Sequence, residues 1–167
     1  MSQVPFLFDH HIVQGIVPVA DAFAGGVSTD VISLKDYGRV TFVIVTGAIE
    51  DSGISNLCKV QGCDTVSAGS TTDMEFHRQS MQWSTSADTW GARALAPSTG
   101  YNFMSNNAVA NAVHIAEVTA DMVKAQTGYD FVRLNIAETA NKTITACVLV
   151  ILSEPRYPQA VPATAIA

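Results

Sequence analysis

Two stretches of sequence decide the fold: TITACVLVIL at residues 143–152 and VTFVIVT at residues 40–46. Both are rich in β-branched residues, and both are apolar at successive rather than alternating positions. This pattern is typical of strands that are buried on both faces. We therefore predict that they are central strands of a sheet, with Cys147 inside the core.

The hydrophobic pattern of the remaining chain also has a period of two. Residues 131–136 and 73–79 alternate apolar and polar side chains, which suits strands with one wet face. With four weaker candidates there are about eight short strands separated by turn residues, which predicts an all-β fold, either a β-sandwich or a jelly-roll-like barrel. The weaker candidates are residues 12–20, 31–34, 55–61 and 109–115.

Helical periodicity is confined to residues 117–124, which predict one short helix with Gly128 as its end signal. No repeat or linker divides the sequence, so we predict a single β domain over residues 1–167. Residues 1–9 and 157–167 are mostly apolar, and prolines in both favour extended terminal arms.

Charge is scarce: only 14% of the 167 residues are charged, against about 25% in a typical soluble domain. A surface with so few charges is easily desolvated, which indicates a subunit that buries surface against neighbours. The net charge of -6 and the lack of a basic stripe argue against nucleic-acid binding. No apolar run approaches the roughly 20 residues that span a bilayer, so no membrane partner is expected. Three cysteines and no signal-like start indicate synthesis in a reducing cytoplasm.

The charge deficit is concentrated in residues 94–116, which contain no Asp, Glu, Lys or Arg, and at the two ends of the chain. Such segments either dock back on their own domain or lie on a neighbouring subunit, and the sequence leaves both readings open. The candidate intersubunit contacts are Phe6, Leu7, Phe8, Tyr101, Phe103, Tyr157, Pro158, Val161 and Ile166.

No arrangement of residues predicts chemistry. Cys58 and Cys63, followed by His77, resemble half of a zinc site, but the second half is missing, and we predict buried, unreactive thiols. The G-x-S-x-G, phosphate-loop and dinucleotide motifs are absent. We therefore expect no catalytic, cofactor-binding or metal-binding residues and no enzyme activity. The other histidines are predicted to be structural: His10, His11 and His114.

The aromatic residues allow an alternative function. Trp83 and Trp90 flank a loop-like segment, and Tyr101 lies just beyond it. In carbohydrate-binding β-sandwiches, such rings stack on the faces of sugars. A carbohydrate-binding module with these three residues as glycan contacts is therefore the alternative hypothesis.

Three patches of sequence resemble small virion proteins of tailed bacteriophages. They are LKDY at residues 34–37 before VTFVI at 40–44, YDFVRL at 129–134, and VILSEPRY at 150–157 before an Ala/Pro/Thr tail. The layout of most of the chain is similar to these proteins, whereas the likeness in amino-acid letters is limited to the three patches. The pair Cys58 and Cys63 departs from the pattern.

The resemblance implies a capsid decoration, or cement, protein with a jelly-roll-like fold. Such a protein sits on the virion surface as a dimer or trimer, bound to the outer face of the major capsid protein lattice of a phage head. It is made in the host cytoplasm, and the resemblance carries over no catalytic residue. A subunit of the tail or of the head-tail junction remains an alternative location.

Overall fold

The computed structural model describes residues 5–49, 55–82, 89–103, 111–140, 142–157 and 164–166. Within these ranges the chain forms two short helices and twelve strands. In chain order the elements are α1 (Phe6–Asp9), β1 (His10–Val19), β2 (Val27–Ser28), β3 (Ile32–Ser33), β4 (Tyr37–Ile49), β5 (Asn56–Cys63), β6 (Thr71–Met74), β7 (Phe76–Gln82), β8 (Ala94–Ala96), β9 (Tyr101–Asn102), β10 (Ala112–Thr119), α2 (Ala120–Thr127), β11 (Phe131–Glu138) and β12 (Ile144–Pro155).

Six antiparallel strands form a front sheet in the order β1-β12-β4-β10-β7-β8. The two stretches that decide the fold, β12 and β4, lie side by side in it, with Leu149 opposite Val43 and Cys147 opposite Val45. On the other side of β4, Val113 of β10 also lies opposite Val45. The residues that the sequence places at the centre of a sheet therefore occupy its central strands.

A smaller back sheet has the order β2-β11-β5-β6, with β3 also paired to β11 and β9 to β5. The two sheets pack face to face around a common core, to which Phe42 and Val150 contribute from the front and Val60 and Leu134 from the back. These four side chains are completely buried. The all-β, sandwich-like fold predicted from the hydrophobic period is confirmed.

The strand predicted at residues 73–79 is two strands that belong to different sheets. β6 pairs with β5 in the back sheet, β7 pairs with β10 in the front sheet, and the chain crosses between them at Glu75. Met74 and Phe76 on either side of the crossing are both buried in the core. The alternating pattern therefore continues through the crossing, which explains why one strand was predicted.

The helix begins three residues later than predicted. Glu117 and Thr119 continue the pairing of β10 with β4, and the Thr119 hydroxyl then accepts a hydrogen bond from the Met122 N–H at 3.2 Å as the N-cap of α2. Gly128 ends the helix in the left-handed conformation, at φ 79°, as its sequence position predicts.

The N-terminal segment also differs from the extended arm that was predicted. Residues 6–9 form a single helical turn, in which the Phe8 N–H donates to the Pro5 carbonyl at 2.9 Å, and β1 begins at once with His10. Residues 1–4 lie outside the described ranges. No helix in the described parts of the chain is long and apolar enough to cross a membrane.

Candidate functional site

The outer face of the front sheet is the candidate site. Alternate residues of the central strands point into the core, so the residues between them point outwards. On this outer face most of the central side chains are apolar, and they stay partly exposed in the described structure. They are Val43 and Val45 of β4, Val113 and Ile115 of β10, and Cys147, Leu149 and Ile151 of β12.

Strand register places these side chains in contiguous rows across the sheet. One row runs from Leu149 through Val43 to Ile115. The next row runs from Cys147 through Val45 to Val113 and ends at Met81 of β7, outside the central strands. Residues directly opposite in neighbouring strands lie about 5 Å apart, so each row is a continuous apolar surface.

Further exposed apolar side chains lie at both edges of the front sheet. At one edge Ile12 of β1 lies opposite Ile151, and its side chain is exposed. At the other edge Leu95 of β8 is exposed opposite His77, and Trp90 forms a bridge with Met81 while 40% of its surface stays exposed. Thr41, Glu117 and His77 separate Ile151 from Leu95 in this row, and Gln14 and Gln79 end the row of Leu149. The apolar patch is therefore central, and an exposed patch of this kind is typical of a protein–protein interface.

The outer face of the back sheet is polar by contrast. The Arg133 guanidinium donates to Gln61 at 2.9 Å, the Gln61 amide donates to Asp73 at 2.6 Å, and Lys59 pairs with the same carboxylate at 2.6 Å. Desolvation raises the pKa of Asp73, but the hydrogen bonds from Lys59 and Gln61 and the nearby positive charges outweigh it and hold that pKa below its ordinary value. The back sheet therefore has the polar outer face expected of a sheet in water, and the front sheet does not.

The two ends of the apolar face have different chemistry. A groove of about 530 Å³ at one end is lined mainly by apolar groups, among them Pro18, Val45, Met81 and Val113. A cleft of about 570 Å³ at the other end is lined by many polar and charged side chains, and its titratable residues are Arg39, His77, Arg78, Arg93 and Glu117.

The main charged groups at the polar end neutralise one another. Arg39 pairs with Glu117 at 2.9 Å and with Glu154 at 2.8 Å, and the Thr41 hydroxyl donates to Glu117 at 3.0 Å. Each of these groups is about a third exposed or more, so the pairs contribute little to stability. Their effect on the surface is that the charge of Arg39 is neutralised by neighbouring carboxylates.

Three of the predicted intersubunit contacts lie exposed at one end of the front sheet. Phe6 and Phe8 precede β1, Tyr157 follows β12, and His10 pairs with Ser153 where these two strands meet. Phe8 is 63% exposed, and Phe6 stacks on the His10 ring with 4.0 Å between the ring centroids. Leu7 lies in α1 between them, whereas Pro158 and Val161 fall outside the described residues.

Two other predicted contacts pack on their own chain, and for Phe103 this corrects the prediction. Phe103 is only 3% exposed and meets Phe23 edge to face, so it is a core residue that a partner does not reach. Ile166 pairs with Ile32 of β3, and the neighbouring Ala165 carbonyl accepts from the Ser33 N–H at 2.9 Å. The last described residues thus dock back on the parent domain.

The candidate glycan contacts are not assembled into one aromatic platform. Tyr101 pairs with Cys58 in the back sheet, and the Arg78 guanidinium carbon lies 3.8 Å from the centre of its ring. Trp90 lies beside the front sheet, where it forms an isolated bridge with Met81. Trp83 is outside the described residues.

The cysteines are unpaired and differ in exposure. Cys58 and Cys63 are buried free thiols, and burial raises the pKa of Cys58 to about 12. No three His, Cys, Asp or Glu side chains in the described ranges are grouped to hold a metal ion. Cys147 was predicted to lie in the core and instead points to the outer face of the front sheet, where it is partly exposed.

Comparisons with known proteins give little further information. No protein-family model matches the chain, and no curated protein matches it. A solved structure with a similar arrangement is that of the SPBc2 prophage-derived protein YomS, at 10% sequence identity and a TM-score of 0.47, with 87% of this chain and 94% of that chain covered. A likeness of this degree carries no functional information.

Proposed function

We propose that this chain is a virion structural protein, a capsid decoration subunit that binds the outer face of a phage head lattice and stabilises it through intersubunit contacts. The observation that carries the proposal is the uncovered apolar face of the front sheet. An antiparallel sheet whose outer face is exposed to water normally has polar side chains on that face, as the back sheet of this chain has. The outer face of the front sheet is mainly apolar at its centre, which favours a subunit that covers this face against a neighbour in an assembly.

The difference between the two sheets supports a subunit with one buried side and one wet side. The polar ladder of Arg133, Gln61 and Asp73 satisfies its own hydrogen bonds and is suited to face solvent. Burial of the apolar face contributes about 25 cal/mol per Å² of area removed from water. Because Arg39 at its rim is paired with Glu117 and Glu154, covering the face does not leave that guanidinium without a partner.

Exposed aromatic side chains at one end of the front sheet suit contacts with the capsid lattice. Phe6, Phe8 and Tyr157 are all at least half exposed, and aromatic residues are enriched in the buried centres of interfaces. A decoration protein binds in many copies, so contacts that are weak for one subunit act together on the particle. This proposal assigns the lattice contacts to those three residues.

The proposal is tested by asking where the chain is found after particles form. Virions are purified from cells that carry the gene, heads are separated from tails, and each fraction is analysed by quantitative mass spectrometry. We expect the chain in the head fraction at high copy number, and we expect particles from a gene deletion to lose DNA at a lower temperature. A chain that is absent from particles, or found only in the tail fraction, contradicts the proposal.

A further inference from the structure

We propose that the outer face of the front sheet binds the same face of a second copy of this chain, forming a two-fold symmetric dimer. This inference rests on the proposed function, because it names the partner that covers the same surface within the assembly. Three properties of the face carry it: its size, its distribution of charge and the symmetry of its apolar rows.

The size of the face is somewhat over half that of one side of a standard interface. Five strands, from β1 to β7 across the sheet, spaced about 4.8 Å apart are roughly 19 Å wide, and seven residues at 3.3 Å rise are about 23 Å long, while β8 adds only three residues. The resulting flat area of about 440 Å², before the relief of the side chains is counted, compares with roughly 800 Å² per partner of a standard protein–protein complex. A second copy of the face has the same dimensions and therefore covers it.

The charge on the face suits a second copy although each chain has a net charge of -6. The central rows of the face are uncharged, and Arg39 at one end of it is already paired with Glu117 and Glu154. A nucleic acid needs clustered Lys and Arg, which the centre of this face does not offer. Two copies, in contrast, meet there without placing an unpaired charge in the interface.

The rows of apolar side chains match under a two-fold rotation. The two-fold axis lies between the two facing sheets, runs perpendicular to the strands, and passes midway between Val43 and Val45. It places the Leu149 row of one copy against the Cys147 row of the other. The same rotation carries the Arg39 pairs to opposite ends of the interface, so like charges stay apart. Face-to-face sheets pack about 10 Å apart, which leaves room for one layer of interdigitating side chains from each copy.

A second copy is also the partner that every chain meets first. Exposed apolar surface drives association in proportion to protein concentration, and copies made from one message share a compartment from the moment they fold. Because the contact is apolar, we expect the dimer to persist at high salt, where an ion-paired complex weakens.

The test compares one substitution on the face with a matched one elsewhere. Leu149→Lys introduces a charge at a side chain that is 38% exposed on the face, and Val66→Lys does the same at a side chain that is 43% exposed in the loop between β5 and β6. Sedimentation equilibrium across a dilution series gives the mass, and circular dichroism gives the fold. Leu149→Gln, which is smaller and uncharged, repeats the test if the lysine variant is not folded.

We expect the wild type and Val66→Lys to have twice the 17.7 kDa chain mass at low and high salt. We expect Leu149→Lys to raise the dissociation constant by at least about a hundredfold, because dimerisation would bury an unpaired ammonium group. A wild-type monomer or trimer, or a Leu149→Lys dimer as tight as the wild type, overturns the inference. If the wild-type protein is a monomer in solution but abundant in purified heads, the dimer is overturned and the proposed function stands. If it is a dimer in solution but absent from virions, the proposed function is overturned and the dimer stands.

Discussion

The free energy of unfolding of the wild type is expected to fall as the pH is lowered from 7.5 to 4.5. Replacing His114 by Phe together with Ser80 by Ala is expected to make this fall smaller by about 2 to 3 kcal/mol. His114 is buried in β10, where its Nδ1 lies 2.9 Å from the Ser80 hydroxyl and its ring meets Phe103 edge to face at 5.0 Å. Its Nε2 is buried with no hydrogen-bond partner in the described part of the chain. Burial in this site therefore favours the neutral imidazole over the charged one.

The direction of the effect follows from the pKa. Burial lowers the pKa of His114 to about 4, from the ordinary value of 6.5 that applies to the unfolded chain. Between these values the unfolded chain binds a proton at this site and the folded chain does not, so the free energy of unfolding rises with pH. This stability is fully present above pH 6.5 and is lost progressively as the pH falls towards 4.

The measurement is urea denaturation of both proteins across this pH range at one protein concentration. The Phe ring preserves the packing against Phe103, and Ala removes the hydroxyl that would lose its partner, so both proteins are expected to fold. Carboxylates titrate equally in the two proteins, and their contribution cancels in the difference. A difference in unfolding free energy that does not change with pH would contradict the neutral, buried state of His114.

Gly62→Ala is expected to destabilise the protein by about 2 to 3 kcal/mol through a clash with the helix. A Cβ at Gly62 of β5 would lie 2.5 Å from Oγ1 and 2.8 Å from Cβ of Thr127, in the last turn of α2. Thr127 does not move aside easily, because its hydroxyl donates to the Val123 carbonyl at 2.7 Å and accepts from the Tyr129 N–H at 3.2 Å. The substitution therefore displaces α2 from the end of the sandwich, together with its buried Val123.

Gly69→Ala provides the matched control in the loop that follows β5. A Cβ at Gly69 has its nearest neighbour at 3.6 Å, the Asp64 carboxylate, which is an ordinary contact. We expect this control to change the unfolding free energy by less than about 0.5 kcal/mol in the same denaturation experiment. Equal stability of the two variants would show that α2 does not rest directly on β5.

The sequence predicted the two sheets because the apolar pattern of their strands is strong. It also predicted that residues 40–46 and 143–152 are buried on both faces, and the structure shows one face in the core and the other uncovered. The apolar pattern shows that both faces of these strands favour burial. It does not show whether the same chain or another chain covers each face. Cys147 was predicted to be a core residue for this reason, since its surroundings in sequence are apolar on both sides.

Other features depend on contacts between residues far apart in the chain. Phe103 lies in an uncharged segment that is consistent with an interface, and only its packing against Phe23 and His114 places it in the core. Ile166 looks like part of a free apolar tail until its pairing with Ile32 is seen. Residues 117–119 have helical spacing, but pairing with β4 extends β10 through them. In each case a long-range contact overrides a local pattern.

The central claim is that the outer face of the front sheet is covered in the working protein, and Cys147 is a natural probe for it. Cys147 is the partly exposed thiol on that face, whereas Cys58 and Cys63 are buried. The measurement is the rate of maleimide labelling of Cys147, followed by peptide mass spectrometry, in wild-type protein, in purified heads and in Leu149→Lys. We predict slow labelling in the first two and fast labelling in the variant. Equal, fast labelling in all three would contradict the claim.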